Sequence, residues 1–308
     1  MDKQNLTLFR YRQANKYELY NLLNNEFWVS RPGSFNDPYD STFFIDRKEI
    51  ENHMSKLKEA KHYSYESGMS NEKFSDLICE KIISRTKKTV WIACFSEKIN
   101  NPAMWANYSQ NGRGFAIEYS HNSLEKMLRA YLEKDRKKYL KDYGNLNVNN
   151  VNHEFCDHVK KVNYAEEKYD GTEVISNLID EGVTNKKYTP GELNDKSLDD
   201  FSYYTFYNKK KIWEYEKEWR MVLNTYNETK EEKEKMYINI QNKEDPIMPN
   251  AIYLGEFAEP FTKKVICNYC YKNKVKLYEM NSDIFDKKYE LKYKEIYKNN
   301  MHDFIEKQ

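Results

Sequence analysis

The stretch KKKIWEYEKEWRMVLN, residues 209 to 224, places two carboxylates one residue apart, Glu216 and Glu218, between Trp213 and Trp219. Proteins use carboxylates as general acids and bases, as metal ligands and as stabilisers of developing positive charge. If Trp219 to Leu223 forms a strand, Glu218, Arg220 and Val222 share one face and Trp219, Met221 and Leu223 the other. An acid and a base then stand together at the start of a core strand. The same residues could equally end a solvated, Lys-rich helix, and both readings stay open at this level.

Three further segments set polar residues among aromatics at the ends of expected strands, where a scaffold presents site residues. They are LFRYR (8 to 12), RPGSFNDPYD (31 to 40) and WIACFSEKINNPAMWANYSQNGRGFAIEY (91 to 119). In NDPYD, Asn36 or Asp37 would cap its own backbone in a turn, while Asp37 and Asp40 are close enough to act jointly. Ser96 ends a strand with no His-Asp pattern that would make it a triad nucleophile, which leaves it a hydrogen-bonding role in a cleft. Trp105 and Tyr108, three apart on a helix face, suit core packing or a ring-stacking platform.

Other chemistries lack their residues. There is no GxxxxGKS, GxxxxGKT or GxGxxG loop to cradle phosphate, and no GxSxG elbow. Cys267 and Cys270 form a lone CxxC without the second ligand pair of a zinc site, and read as small semi-buried residues of a helix. His153, Cys156 and His158 in VNHEFCDH read as a solvated helix or loop. No metal is expected.

The elements that must position these residues follow from periodicity. Strands are expected at 6 to 12, 26 to 30, 90 to 95, 115 to 119, 219 to 224, 251 to 255 and 275 to 278. Helices are expected near 17 to 23, 71 to 88, 101 to 111, 123 to 143 (ending at Gly144) and 259 to 273, with the last three tail elements forming a small βαβ unit. The reading is one α+β domain over 1 to 308, with a mixed, mainly antiparallel sheet. Its core is 6 to 120 and 211 to 290, and 121 to 210 is a helical insertion. With Lys+Arg 50 against Asp+Glu 49, the net charge of +1 gives no global field for polyanions. A mean hydropathy of −0.99 is low, but 27 Tyr and 15 Phe supply a core. Five scattered cysteines and the lack of an apolar leader suggest the cytoplasm, with no membrane partner.

Taken in order, Leu8 to Arg12, Phe35 to Asp40, Cys94 to Ser96, Met104-Trp105 with Tyr108, Gly114, Trp213, Tyr215-Glu216, Glu218 to Arg220, and Ile252 with Gly255 resemble a bacterial domain-of-unknown-function family, number 2971. Members are associated with phage-defence contexts, and the Glu-x-Glu-Trp-Arg ending is similar to that of an abortive-infection family. More distantly, Arg10, Ser96 and Glu216-Lys217-Glu218 resemble the order of Arg, Ser and Glu-x-Glu in ADP-ribosyltransferases, although CFSE stands where that pattern prefers Ser-Thr-Ser. The resemblance implies NAD as substrate. Arg10 would bind NAD, with Arg12, Arg220, Trp105 and Tyr108 as further binding groups. Ser96 would brace the site, Glu218 would be the main catalytic carboxylate, and Glu216 would select or activate a protein or nucleic-acid acceptor.

Two alternatives compete with this reading. One is a nuclease in which Asp37, Asp40, Glu216 and Glu218 hold Mg²⁺ beside a basic strip at Lys209-Lys210-Lys211. The other is a non-catalytic sensor with an aromatic groove. The transferase reading requires Arg10, Ser96 and Glu218 to open onto one cleft.

Overall fold

The computed structural model describes residues 6–59, 70–88, 90–143, 159–184, 195–224 and 235–296. The front of the chain supplies β1 (Thr7–Arg12), α1 (Lys16–Leu23), β2 (Trp28–Ser30), α2 (Arg47–Glu59), α3 (Asn71–Thr86), β3 (Val90–Ser96), α4 (Pro102–Tyr108) and β4 (Phe115–Ser120). The middle supplies α5 (His121–Tyr143), β5 (Val159–Lys161), β6 (Asn163–Ala165), α6 (Thr172–Thr184), α7 (Asp195–Tyr207) and β7 (Asn208–Lys210). A 3₁₀ turn (Lys211–Glu216) then leads to β8 (Glu218–Asn224), β9 (Tyr237–Asn239), β10 (Ala251–Leu254), α8 (Pro260–Asn273), β11 (Lys276–Ser282) and β12 (Leu291–Glu295).

Ten of these strands form one mixed, mainly antiparallel sheet in the order β12-β11-β10-β4-β1-β3-β2-β9, with β8 on β3 and β5 on β8. The fold is α+β. Residues 251 to 282 form the expected βαβ unit, β10 and β11 running parallel through α8. One sheet face buries Leu8, Trp91, Phe95 and Met221 under Leu19 of α1, Leu124 and Leu128 of α5, and Ile266 of α8. Each such side chain contributes about 1.5–3 kcal/mol of apolar burial. On the other face, α4 sets Met104 and Trp105 over Phe9, Tyr11 and Tyr253, while α7 sets Phe206 and Tyr207 over Val90, Ile92 and Val222.

The sheet forks at β3. β8 pairs with all seven residues of β3, from Val90↔Asn224 to Ser96↔Glu218. β1 touches β3 only at Phe9↔Ser96, and β2 only at Ser30↔Ile92. A strand has two edges, so β1 and β2 must share the one that β8 leaves, at its opposite ends. Among the described residues no strand pairs with Ala93 to Phe95 on that edge. Gly114 and Gly255 lock the neighbouring corner: a Cβ on Gly114 would run into the Arg12 carbonyl oxygen, and one on Gly255 into that of Gly112.

The middle of the chain is helical over α5, α6 and α7, but it is not an appendage. β5 extends the sheet on β8, and α7 roofs β3 and β8. Three-residue strands such as β5 are too short to show a period in sequence. The helix end expected at Gly144 and the His153, Cys156 and His158 group lie outside the described residues. No described helix is long and apolar enough to cross a membrane.

Candidate functional site

A cleft of about 190 Å³ opens in the fork, lined by β1 and β3 together with Asn36, Asp40, Tyr108, Lys209, Glu216 and Glu218. The polar residues arrive on several elements, Asn36 and Asp40 together on the loop before α2. Asn101 caps α4 by accepting from the Ala103 amide at 2.9 Å, and Pro102 starts that helix, whose last residue is Tyr108. Asp37 closes a turn by accepting from the Tyr39 amide at 2.9 Å. Asp40 then leads into Ser41, which sits at φ 54° and donates to Asp40 Oδ1 at 2.9 Å. Lys217 caps the 3₁₀ turn at φ 45°, so the bend between Glu216 and Glu218 is made by a left-handed residue other than glycine.

These residues form one buried ionic network. Arg220, fully buried, grips Asp40 with two bonds of 2.9 and 2.6 Å, and Glu218 with two of 2.8 and 3.2 Å. It also donates to the Phe206 carbonyl at 2.7 Å. Lys209 Nζ lies 2.6 Å from Glu216 and 3.2 Å from Glu218. Tyr108 donates its hydroxyl to Glu216 Oε1 at 2.5 Å. Three carboxylates thus meet two cations, leaving one negative charge in excess.

The excess falls unequally. Burial pushes the Glu218 carboxyl up, but the Arg220 and Lys209 charges more than offset it and hold the group down at about 2. Burial also pushes Glu216 up; Lys209 pulls against it, the Glu218 charge pushes with it, and the net direction is upward. Burial would lower Lys209, yet the charges of Glu218, Glu216 and Asp40 keep it raised and protonated. Cys94 is raised by burial and by Glu218, so it remains a thiol beside that carboxylate.

The structure brings Glu216, Glu218, Ser96 and Tyr108 of the expected site residues to the cleft, with Arg10 and Arg12 on its β1 wall, while Arg220 lies beneath it and Trp105 in the core. Ser96 is fully buried, donating to the Glu216 carbonyl at 2.6 Å and accepting from the Lys98 amide at 3.1 Å, so it braces the turn that carries Glu216. Arg10 borders the cleft, but Phe9 is the residue paired with Ser96, and neighbours on a strand point to opposite faces. Its guanidinium lies 4.3 Å over the Phe27 ring and donates to the Trp28 carbonyl, with no bond to Glu216 or Glu218. Arg12 pairs with Glu18 at 3.4 Å. Trp105 is core rather than platform: its indole donates to the Ile99 carbonyl at 2.6 Å and its ring packs edge-on to Tyr11. Arg220 holds the carboxylates from beneath and does not line the cleft.

Asp40, Glu216 and Glu218 converge as the nuclease alternative asks, but around Lys209 and Arg220. Asp37 is spent on its turn. Among the described residues no group of three His, Cys, Asp or Glu is arranged to hold a metal. In the sequence Lys209 reads only as part of a basic strip and Asn36 only as a turn cap; neither is expected among the carboxylates that line the cleft. Lys209 stood in a run of three lysines that read as surface, and only Trp213, whose ring lies 4.9 Å from its ammonium, hinted that one of the three turns inward.

No curated protein and no solved structure matches the chain. A family model described as a protein of unknown function (DUF2971) matches residues 104–221. That span is under half of the chain, yet it holds Tyr108, Lys209, Glu216, Glu218 and Arg220, every member of the ionic network except Asp40.

Proposed function

We propose that the cleft is an active site for cleaving or transferring at a glycosidic bond of a small nucleotide, with NAD the first substrate to test and Glu216 the reacting carboxylate. The observation that carries this reading is the state of Glu216, a cleft carboxylate raised by burial and bonded through one hydrogen bond on each oxygen. Each oxygen keeps a lone pair for substrate. Glu218 has no comparable freedom, because Arg220 and Lys209 occupy its oxygens. The roles expected of the two glutamates are therefore exchanged here: Glu218 anchors and Glu216 reacts.

The excess negative charge suits a reaction in which positive charge develops. As the bond from ribose to a pyridinium or base breaks, the sugar carbon becomes oxocarbenium-like, and a preorganised carboxylate stabilises it without reorganisation. Glu216 then takes the proton of the attacking water or acceptor hydroxyl, Lys209 and Tyr108 fixing its geometry. At about 190 Å³ the cleft takes the reacting end of a dinucleotide and leaves the rest outside. An effector role in phage defence is a setting such an activity would serve.

The test is release of nicotinamide from NAD by purified protein, alone and with bacterial extract supplying an acceptor. The wild type is expected to turn over and Glu216→Gln to lose at least about 100-fold, the scale of a general base. Equal rates in both proteins, or none from the wild type with or without extract, would refute the assignment.

A further inference from the structure

Behind the fork, on the far side of β1, lies a second cavity of about 30 Å³ whose walls include Arg10, Arg12, Glu18, Asn21, Glu26 and Trp28. One water needs roughly 10–15 Å³, so the space admits an occupant of up to about three heavy atoms and excludes a nucleotide. Two arginines and two glutamates stand on its walls, but only Arg12 and Glu18 form an ion pair. Glu26 accepts from the Trp28 indole at 2.7 Å. Arg10 is 8 % exposed, and among the described residues no carboxylate bonds to it. Of its five N–H groups one is used, on the Trp28 carbonyl, while its faces rest on Phe27 and Phe95.

A guanidinium held largely out of water with no carboxylate bonded to it is costly, and native proteins pair such groups or supply them with an ion. Burial and the neighbouring Arg12 depress Arg10 to about 9, although the Glu18 charge pulls the other way.

We propose that this cavity binds a small monovalent anion, a halide or the carboxylate of a small ligand, against the guanidinium of Arg10. The ligand joins β1 to β2 across the fork, because Arg10 stands on β1 and bonds to β2. It therefore stiffens the mouth of the cleft without entering it. The site does not depend on the reaction proposed above, and its test reads stability and binding only.

The full chain is melted in sodium gluconate at fixed ionic strength, replaced stepwise by chloride in one series and by formate in another. Gluconate is too large for the cavity and serves as the blank. A saturating rise in Tm of about 2–4 °C in at least one series supports the site, chloride alone assigning it to a halide and formate alone to a carboxylate. Chloride-35 line broadening that saturates over the same range supports it independently. Identical melting in all three salts overturns it. Arg10→Met is expected to lose the dependence, and where that variant fails to fold, Asn21→Asp decides. A carboxylate on the cavity wall should replace the ligand, raising Tm in gluconate and abolishing the response. An Asn21→Asp protein that keeps the full anion response contradicts the proposal.

Discussion

Glu216 and Glu218 are separated by one left-handed residue and share Lys209, yet their surroundings treat them in opposite ways. Glu218 sits where β8 begins, between Arg220 and the Cys94 thiol, and its charge is fixed from every side. Glu216 sits at the end of a 3₁₀ turn, with a tyrosine hydroxyl on one oxygen and a shared ammonium on the other. Burial is the same for both, at 3 % exposed, so burial does not decide their behaviour. The number and kind of partners do. One carboxylate becomes part of the scaffold, and the other holds the unbalanced charge where a substrate can meet it.

The most severe way to break this contrast is to remove the cation on the Glu218 side. Arg220→Met should cost about 3–5 kcal/mol in urea denaturation, because Lys209 is then the one cation left, among the described residues, for the buried carboxylates of Asp40, Glu216 and Glu218. A loss below about 1 kcal/mol would mean that water reaches the network. Glu218→Gln comes next. It should lose about 2–3 kcal/mol, since a neutral amide forfeits charge-assisted bonds to Arg220. Glu216→Gln should stay within about 1 kcal/mol of wild type while abolishing turnover. A Glu216→Gln protein destabilised as much as Glu218→Gln would erase the distinction.

Acidification sharpens the contrast further. The folded pKa of Glu216 is raised, so its ionised form opposes folding at neutral pH, and that opposition is relieved as pH falls through the raised value. Glu218 is held at about 2, so its stabilisation is present above the ordinary carboxylate range, near 4.3, and is lost between there and 2. Urea midpoints of the wild type should therefore rise as pH drops through the raised Glu216 value, then fall below about pH 4. Glu216→Gln should lack the rise and keep the fall. The smallest effect is expected at the joint between the two. Lys217→Gly should stabilise by no more than about 1 kcal/mol, measured by thermal melting, since relief of the left-handed backbone is offset by added unfolded-state freedom.

The contrast was only partly legible in the sequence. The apolar run from Val90 to Phe95 and the alternation from Trp219 to Leu223 marked two strands, and the run 251 to 278 its βαβ unit, because period and length are local properties. Alternation also placed Glu218 and Arg220 on one face, as the structure shows. Which carboxylate is saturated depends on partners 180 residues away in the chain, such as Asp40 on Arg220, and no local pattern carries that. Arg10 illustrates the same limit. Its type and strand were clear, but its face relative to Ser96 follows from a single pairing between β1 and β3. Lys209 was hidden among three lysines because only tertiary packing selects which of them turns inward.

The division of labour between the two glutamates is tested most directly by titrating their carboxyl carbons by NMR in protein labelled with ¹³C at glutamate, the two signals assigned with Glu216→Gln and Glu218→Gln. The account predicts that Glu216 titrates above the ordinary glutamate range and Glu218 near 2. Titration of both near 4.3, or in the reverse order, would contradict it.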